Sequence, residues 1–214
     1  ISREEVWLLK GLGIAADYLP YYPLEGDMQQ LPDVREARKG ATQSGFLMLG
    51  TANNPTTYQG ILALDEMLSE DGLTDNCLLT LAGYDTARLR PELKSNCWDI
   101  RGAVSEDELT ELMKKAKALV VYQEFGSGAL TRIPRALTAG LPVFANPIAA
   151  RSFYDFDGVH VFENADQLQA LLDEDHPMPA IPARNSAAEQ RFIDCVREQI
   201  GGRRAEGRGR LVPA

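Results

Sequence analysis

The sequence predicts an α/β fold: a doubly wound, mainly parallel, six-stranded Rossmann-like sheet. Three observations predict it. Short apolar runs alternate with amphipathic helical segments through the middle of the chain. Several of those runs end at a glycine, as Leu49, Ala82 and Ile100 do at Gly50, Gly83 and Gly102. Polar capping residues then open the next helix. That pattern indicates parallel strands joined by right-handed crossovers.

The elements follow in order. Ile1 to Gly13 is expected as a helix with a terminal glycine, followed by a strand-like Ala16 to Leu19. Pro20 to Ala41, rich in proline, glycine and charge, is expected as a linker or surface stretch. Gly45 to Leu49 is the first buried strand. Asn54-Pro55 is an N-cap followed by proline at the first helical position, and that helix carries Ile61, Leu62, Leu64, Met67 and Leu68 inward to Gly72. Cys77 to Ala82 and Cys97 to Ile100 are the next two strands. Ser105 to Glu108 is a capping box opening a helix with Leu109, Leu112, Met113 and Ala116 on one face. Leu119 to Tyr122 is a fourth strand. A helix starting near Thr131 tolerates Pro134 in its first turn and ends at Gly140. Pro142 to Ala145 and Val159 to Phe162 complete the sheet, and Asn164 or Asp166 opens a helix carrying Leu168, Leu171 and Leu172. A connector with Pro177, Pro179 and Pro182 leads to a last helix over Ala187 to Ile200.

Composition excludes several function classes. A formal net charge of −9 over 214 residues argues against a general nucleic-acid binder. Only the tail from Arg203 to Arg210 is basic, as a disordered end would be. No apolar run approaches the ~20 residues of a transmembrane segment. Ile1 to Lys10 lacks a signal core and an initiator Met, so the chain is expected to begin inside a longer product. Cys77, Cys97 and Cys195 are an odd set without metal spacing, as free thiols in a reducing, cytoplasmic compartment would be. The histidines, His160 and His176, lie beside no suitable zinc or triad partner, so no metal is expected.

In doubly wound sheets ligands bind at the carboxyl ends of the strands. The loop from Tyr122 to Thr131 is the most informative of these. Gly126 and Gly128 let a phosphate approach backbone amides, Ser127 adds a hydroxyl, and Arg132 and Arg135 add fixed positive charge. The pattern describes a diphosphate cradle; a tight turn with solvated arginines is the other reading. Gly50 to Gly60 is a second strand–loop–helix junction, with Thr51 as a phosphate donor. Val104 lies after the third strand in Arg101 to Ser105, whose main-chain groups could meet the edge of a base or form a plain capped connection, and Gly83 lies on the intervening loop. Glu124 is the carboxylate beside the cradle and could orient sugar hydroxyls.

The fragments Leu81-Ala82-Gly83, Arg101 to Leu109, Ala116 to Val120, Phe125 to Gly128 and Ala136 to Val143 occur in one order. That order, over Gly45 to Leu172, resembles the C-terminal domain of retaining GT-B glycosyltransferases of the group 1 / family 4 type. The resemblance implies that the loop before Ala139-Gly140-Leu141-Pro142-Val143 holds a donor diphosphate and sugar. It implies residues 1–41 as a junction helix and linker from a missing N-terminal acceptor domain, and 42–175 as the nucleotide-sugar-binding domain. Residues 176–202 become a connector and terminal helix, and 203–214 a flexible basic tail. Two positions depart from relatives. Arg135 stands where many place a ribose-binding Glu, and Gln59 occupies a region where many carry a phosphate-binding Lys. Arg132 matches a basic position in the Gly-Ser-Gly subgroup.

The expected function is therefore donor binding in a sugar transferase whose substrate is a nucleotide-diphosphate sugar. No cofactor and no protein nucleophile are implied. The full-length protein is cytoplasmic in this reading, with peripheral membrane association left open. A degenerate, non-catalytic interaction module is the alternative. A nicotinamide dehydrogenase is opposed, because Gly126-Ser127-Gly128 lacks the third glycine and follows the fourth strand rather than the first.

Overall fold

The computed structural model describes residues 2–70 and 78–206. Its centre is a parallel sheet of β1 (Phe46–Leu49), β2 (Leu79–Ala82), β3 (Trp98–Gly102), β4 (Leu119–Val121), β5 (Val143–Ala145) and β6 (Val159–Val161). The order across the sheet is β3-β2-β1-β4-β5-β6, so the winding reverses between β1 and β4. Every strand pair is parallel, and a register shift at Leu81/Ala82 marks the β2–β3 pair. The expected doubly wound fold is thus the observed one.

Helices cover both faces because the strands are apolar on both sides. One core layer joins Phe46, Met48, Leu81 and Phe144 to α3 (Pro55–Glu70) and α7 (Ala165–Asp173), through Ile61, Leu64 and Leu168. The other joins Leu47, Leu119 and Val143 to α2 (Glu25–Arg38), α4 (Glu106–Lys115) and α5 (Arg132–Thr138). The capping box forms as its pattern demands: the Glu108 amide donates to Ser105 Oγ and the Ser105 amide to Glu108 Oε2. Pro134 lies in the first turn of α5, where its missing N–H costs nothing. Cys77 falls outside the described residues.

The flanks differ from expectation. Ala16 to Leu19 is not a strand; it has no ladder partner and runs beside α8 (Ser186–Glu206). The stretch expected as a linker contains α2, a helix despite Pro32. Tertiary burial explains it: Leu31 and Val34 enter the core, each worth about 1.5–3 kcal/mol. Arg38 is buried beside them. Its Nε donates to Gly140 O (3.1 Å), and its Nη1 to Met113 O, Lys114 O (3.2 Å) and Ala116 O (2.7 Å). One guanidinium thus caps the end of α4 and the turn after α5. At the N-terminus, α1 (Arg3–Gly11) docks on the segment after the short helix α6 (Pro147–Ala150). Its contacts are Arg3 with Asp155 (2.9 Å) and Glu4 with Ser152 (Oε2 to Oγ 3.2 Å).

Candidate functional site

The reversal between β1 and β4 opens a crevice at their carboxyl ends, as sheet topology dictates. Two loops and the first turns of two helices enclose a cleft of about 340 Å³ there. Gly50, Thr51, Ser127 and Arg132, four of the expected residues, line it. Thr56, Thr57 and Gln123 join them. A second cleft of about 250 Å³ shares Gly50, Thr131 and Arg132 and continues between α4 and α5, over Leu109, Met113, Ala136 and Leu141.

Close packing sets the glycine at the mouth of β1. A Cβ on Gly50 would come within 2.4 Å of Thr57 Cγ2 and 3.2 Å of Arg132 Nη1. Arg132 itself lies under the junction. Its Nη1 donates to Leu49 O at 2.6 Å, while its buried Nε has no hydrogen-bond partner among the described residues. Burial pushes this guanidinium down to about 10, so it is still charged at neutral pH. A half-buried guanidinium with no carboxylate partner among the described residues gives the crevice a fixed positive charge.

Hydrogen bonds hold the loop after β4 at both ends. At its start, the Gln123 amide donates to Asn146 Oδ1 (3.1 Å) and Asn146 Nδ2 to Gln123 O (2.7 Å). Further along, Arg151 donates to Gly128 O (2.6 Å), Ser127 O (3.0 Å) and Gln123 Oε1 (3.2 Å). Asn54 Oδ1 accepts from the Thr56 and Thr57 amides (3.0 and 3.4 Å), so the first turn of α3 is already capped.

Several expected residues stand elsewhere. The Gly128 amide, expected to face a phosphate, donates to both oxygens of Glu5 (3.1 and 3.2 Å). Glu5 is held below the usual carboxylate range, first by the Ser2 amide and also by the Gly128 amide. Arg135 pairs with Asp27 at 2.8 Å and lines the second cleft rather than the cradle. Gly83 lines neither cleft: a Cβ there would lie 1.7 Å from Gly50 O, so the glycine lets the ends of β1 and β2 touch. Val104 is half-buried beyond β3, two strands from the reversal, and lines neither cleft. Gly126 lies at the cradle's rim with a φ of +138°. Glu124 is exposed. The Tyr122 hydroxyl is pushed up to about 12, by burial first and then by the hydrogen-bonded Glu124 carboxylate.

Glu5 and Arg151 escaped the sequence reading. Arg151 follows α6 and is 23 residues from its loop partner Gly128. Glu5 is 123 residues from the same glycine. No local pattern reports either contact; in the structure Ser2 and Glu5 form a capping box at the start of α1. Among the described residues no group of His, Cys, Asp or Glu could hold a metal, and no helix is long and apolar enough to cross a membrane.

No family model matches the sequence, and no curated protein matches it. Solved structures do. WaaG, a glycosyltransferase involved in lipopolysaccharide biosynthesis, aligns with a TM-score of 0.54 at 20% identity over 80% of this chain and 51% of its own. Sucrose-phosphate synthase from Thermosynechococcus elongatus aligns with a TM-score of 0.52 at 15% identity over 80% of this chain and 46% of its own. The chain thus spans about half the length of either neighbour, and what it shares with them is a fold, a Rossmann-like domain of the GT-B type.

Proposed function

We propose that this chain is the donor-binding domain of a glycosyltransferase that holds a nucleotide-diphosphate sugar where β1 and β4 diverge. The observation that carries the reading is Arg132. Its guanidinium is half-buried, its shielded Nε has no partner among the described residues, and it lines two clefts that share Gly50 and Thr131. A diphosphate in the polar cleft, near Thr51, Thr56 and Ser127, would lie against the exposed part of that guanidinium and offset its charge. A nucleoside would extend over Leu109, Met113 and Ala136 in the apolar one.

The chemistry follows from that placement. When a glycosyl group leaves a nucleoside diphosphate, negative charge grows on the departing phosphate oxygen. A fixed guanidinium stabilises that charge without reorganising water. No nucleophile of this chain is needed: the hydroxyl of an acceptor substrate forms the new bond to the sugar, the bond to the diphosphate breaks, and the hydroxyl proton passes to the departing phosphate oxygen. The Asp27 pairing of Arg135 and the Glu5 contact of Gly128 favour a second reading, a non-catalytic module whose cradle is filled by its own side chains.

Calorimetric titration with UDP, GDP and ADP separates the two. Donor binding predicts saturable binding of at least one of them. It also predicts a loss of about 30-fold or more in Arg132→Ala, the weight of a buried charge-assisted contact of about 2 kcal/mol. Silence with all three at millimolar concentration refutes it.

A further inference from the structure

The Gly128 amide, an anion seat on the donor loop, is taken by a side chain from the far end of the sequence. Glu5 accepts there through both oxygens, at 3.1 and 3.2 Å. The Arg151 guanidinium is fixed on the same loop, donating to Gly128 O at 2.6 Å and Ser127 O at 3.0 Å. Ser127 and Ala129, on either side of Gly128, line the cradle cleft. A carboxylate and a phosphate oxygen ask the same things of a site: an amide N–H and a nearby positive charge. Both are here, and both are engaged by the protein itself.

We infer that Glu5 is a tethered stand-in for a donor phosphate, which α1 inserts into the seat made by the Gly128 amide and Arg151 and which an incoming diphosphate displaces. The inference rests on the donor-binding reading above. The attachment of α1 suits a part that exchanges. It is held to the domain through polar contacts of its first residues, Arg3 with Asp155, Glu4 with Ser152 and Glu5 with Gly128. Val6 is buried, while Trp7, Leu8 and Leu12 farther along the helix are exposed, so the apolar anchor of α1 is a single side chain rather than a broad face. Ser2, the buried N-cap of α1, keeps the helix itself formed: its hydroxyl accepts from the Glu5 amide at 3.2 Å, and its own amide donates to Glu5 Oε2 at 2.6 Å.

Glu5→Gln tests the inference without melting α1, because glutamine also completes a capping box. It removes the charge that competes with phosphate. UDP is titrated into the wild-type chain, Glu5→Gln and Arg132→Ala, and amide exchange of α1 is followed with and without saturating UDP. The expected result is tighter UDP binding by Glu5→Gln, by about fivefold, the difference between a charged and a neutral acceptor. Exchange of the α1 amides is expected to rise in the wild type when UDP binds. Equal affinities of wild type and Glu5→Gln, with unchanged α1 exchange, overturn the inference while Arg132-dependent UDP binding leaves the donor reading standing. UDP binding seen only in Glu5→Gln supports both. No binding by either protein defeats both together.

Discussion

Among the described residues, two arginines are pushed by desolvation down to about 10: Arg38, which is buried, and Arg132, which is half-buried with its Nε shielded from solvent. Their surroundings differ. Arg38, under the sheet, donates to four backbone carbonyls at the ends of α4 and α5. Arg132, at the crevice, donates to one carbonyl and leaves a shielded Nε without a partner among the described residues. A structural cation is saturated by the protein that buries it. A cation that is buried and unsaturated, facing open space, costs stability that only a ligand recovers. The contrast separates a residue that holds the fold from one that awaits an anion.

The contrast breaks most readily at Arg38. Arg38→Ala strands several buried carbonyls and opens a void between α2, α4 and α5, so a loss of about 3 kcal/mol is expected. In a domain of this size that lowers Tm by roughly 6–12 °C. A thermal melt within 2 °C of wild type would show that α2 is not pinned by this side chain. Arg132→Met moves the other way. It exchanges an uncompensated charge for an apolar side chain of similar length, at the loss of one bond to Leu49 O. Tm is expected to hold or rise by about 1–3 °C while UDP binding disappears. A clear drop in Tm would mean that Arg132 is structural, as Arg38 is, and would remove the contrast.

How much of this was legible in the sequence follows from the range of each interaction. The strands, α4 with its capping box and α5 with Pro134 were legible, because period, caps and proline position are local signals. The helix α2 was not. Gly26, Pro32 and its charges argue locally against a helix, and the burial that overrides them connects Arg38 with residues 75 to 102 positions away. The crevice was half legible. Arg132 and Ser127 stand on the motif-bearing loop, so the motif found them. Arg135 is three residues further on, yet Asp27 of α2 draws it off the cradle, and no reading that took residues 20–41 as surface could foresee that pair. Glu5 and Arg151 reach the loop from separate elements, and only the fold brings them there.

Histidine offers the third way to bury a basic group, and it sharpens the comparison with the smallest effect. His160 of β6 lies edge-on to Phe144, with centroids 5.8 Å apart, and 4.5 Å from the ring of His176. Burial first, and the His176 charge second, push His160 below its ordinary value; Asp157 and Glu174 oppose them. Unlike arginine, it meets the cost of burial by giving up its proton. The folded state therefore binds fewer protons here than the unfolded chain, and stability falls as pH drops below about 6.5, the unfolded value. Above that pH both states are neutral at this position, and the contribution is flat. Urea midpoints measured from pH 7.5 to 5 are expected to decline below pH 6.5, and less steeply in His160→Phe, which keeps the contact with Phe144 but cannot take a proton. Identical slopes for the two proteins would mean that the carboxylates at 157 and 174 offset the burial, and that His160 is as well compensated as Arg38.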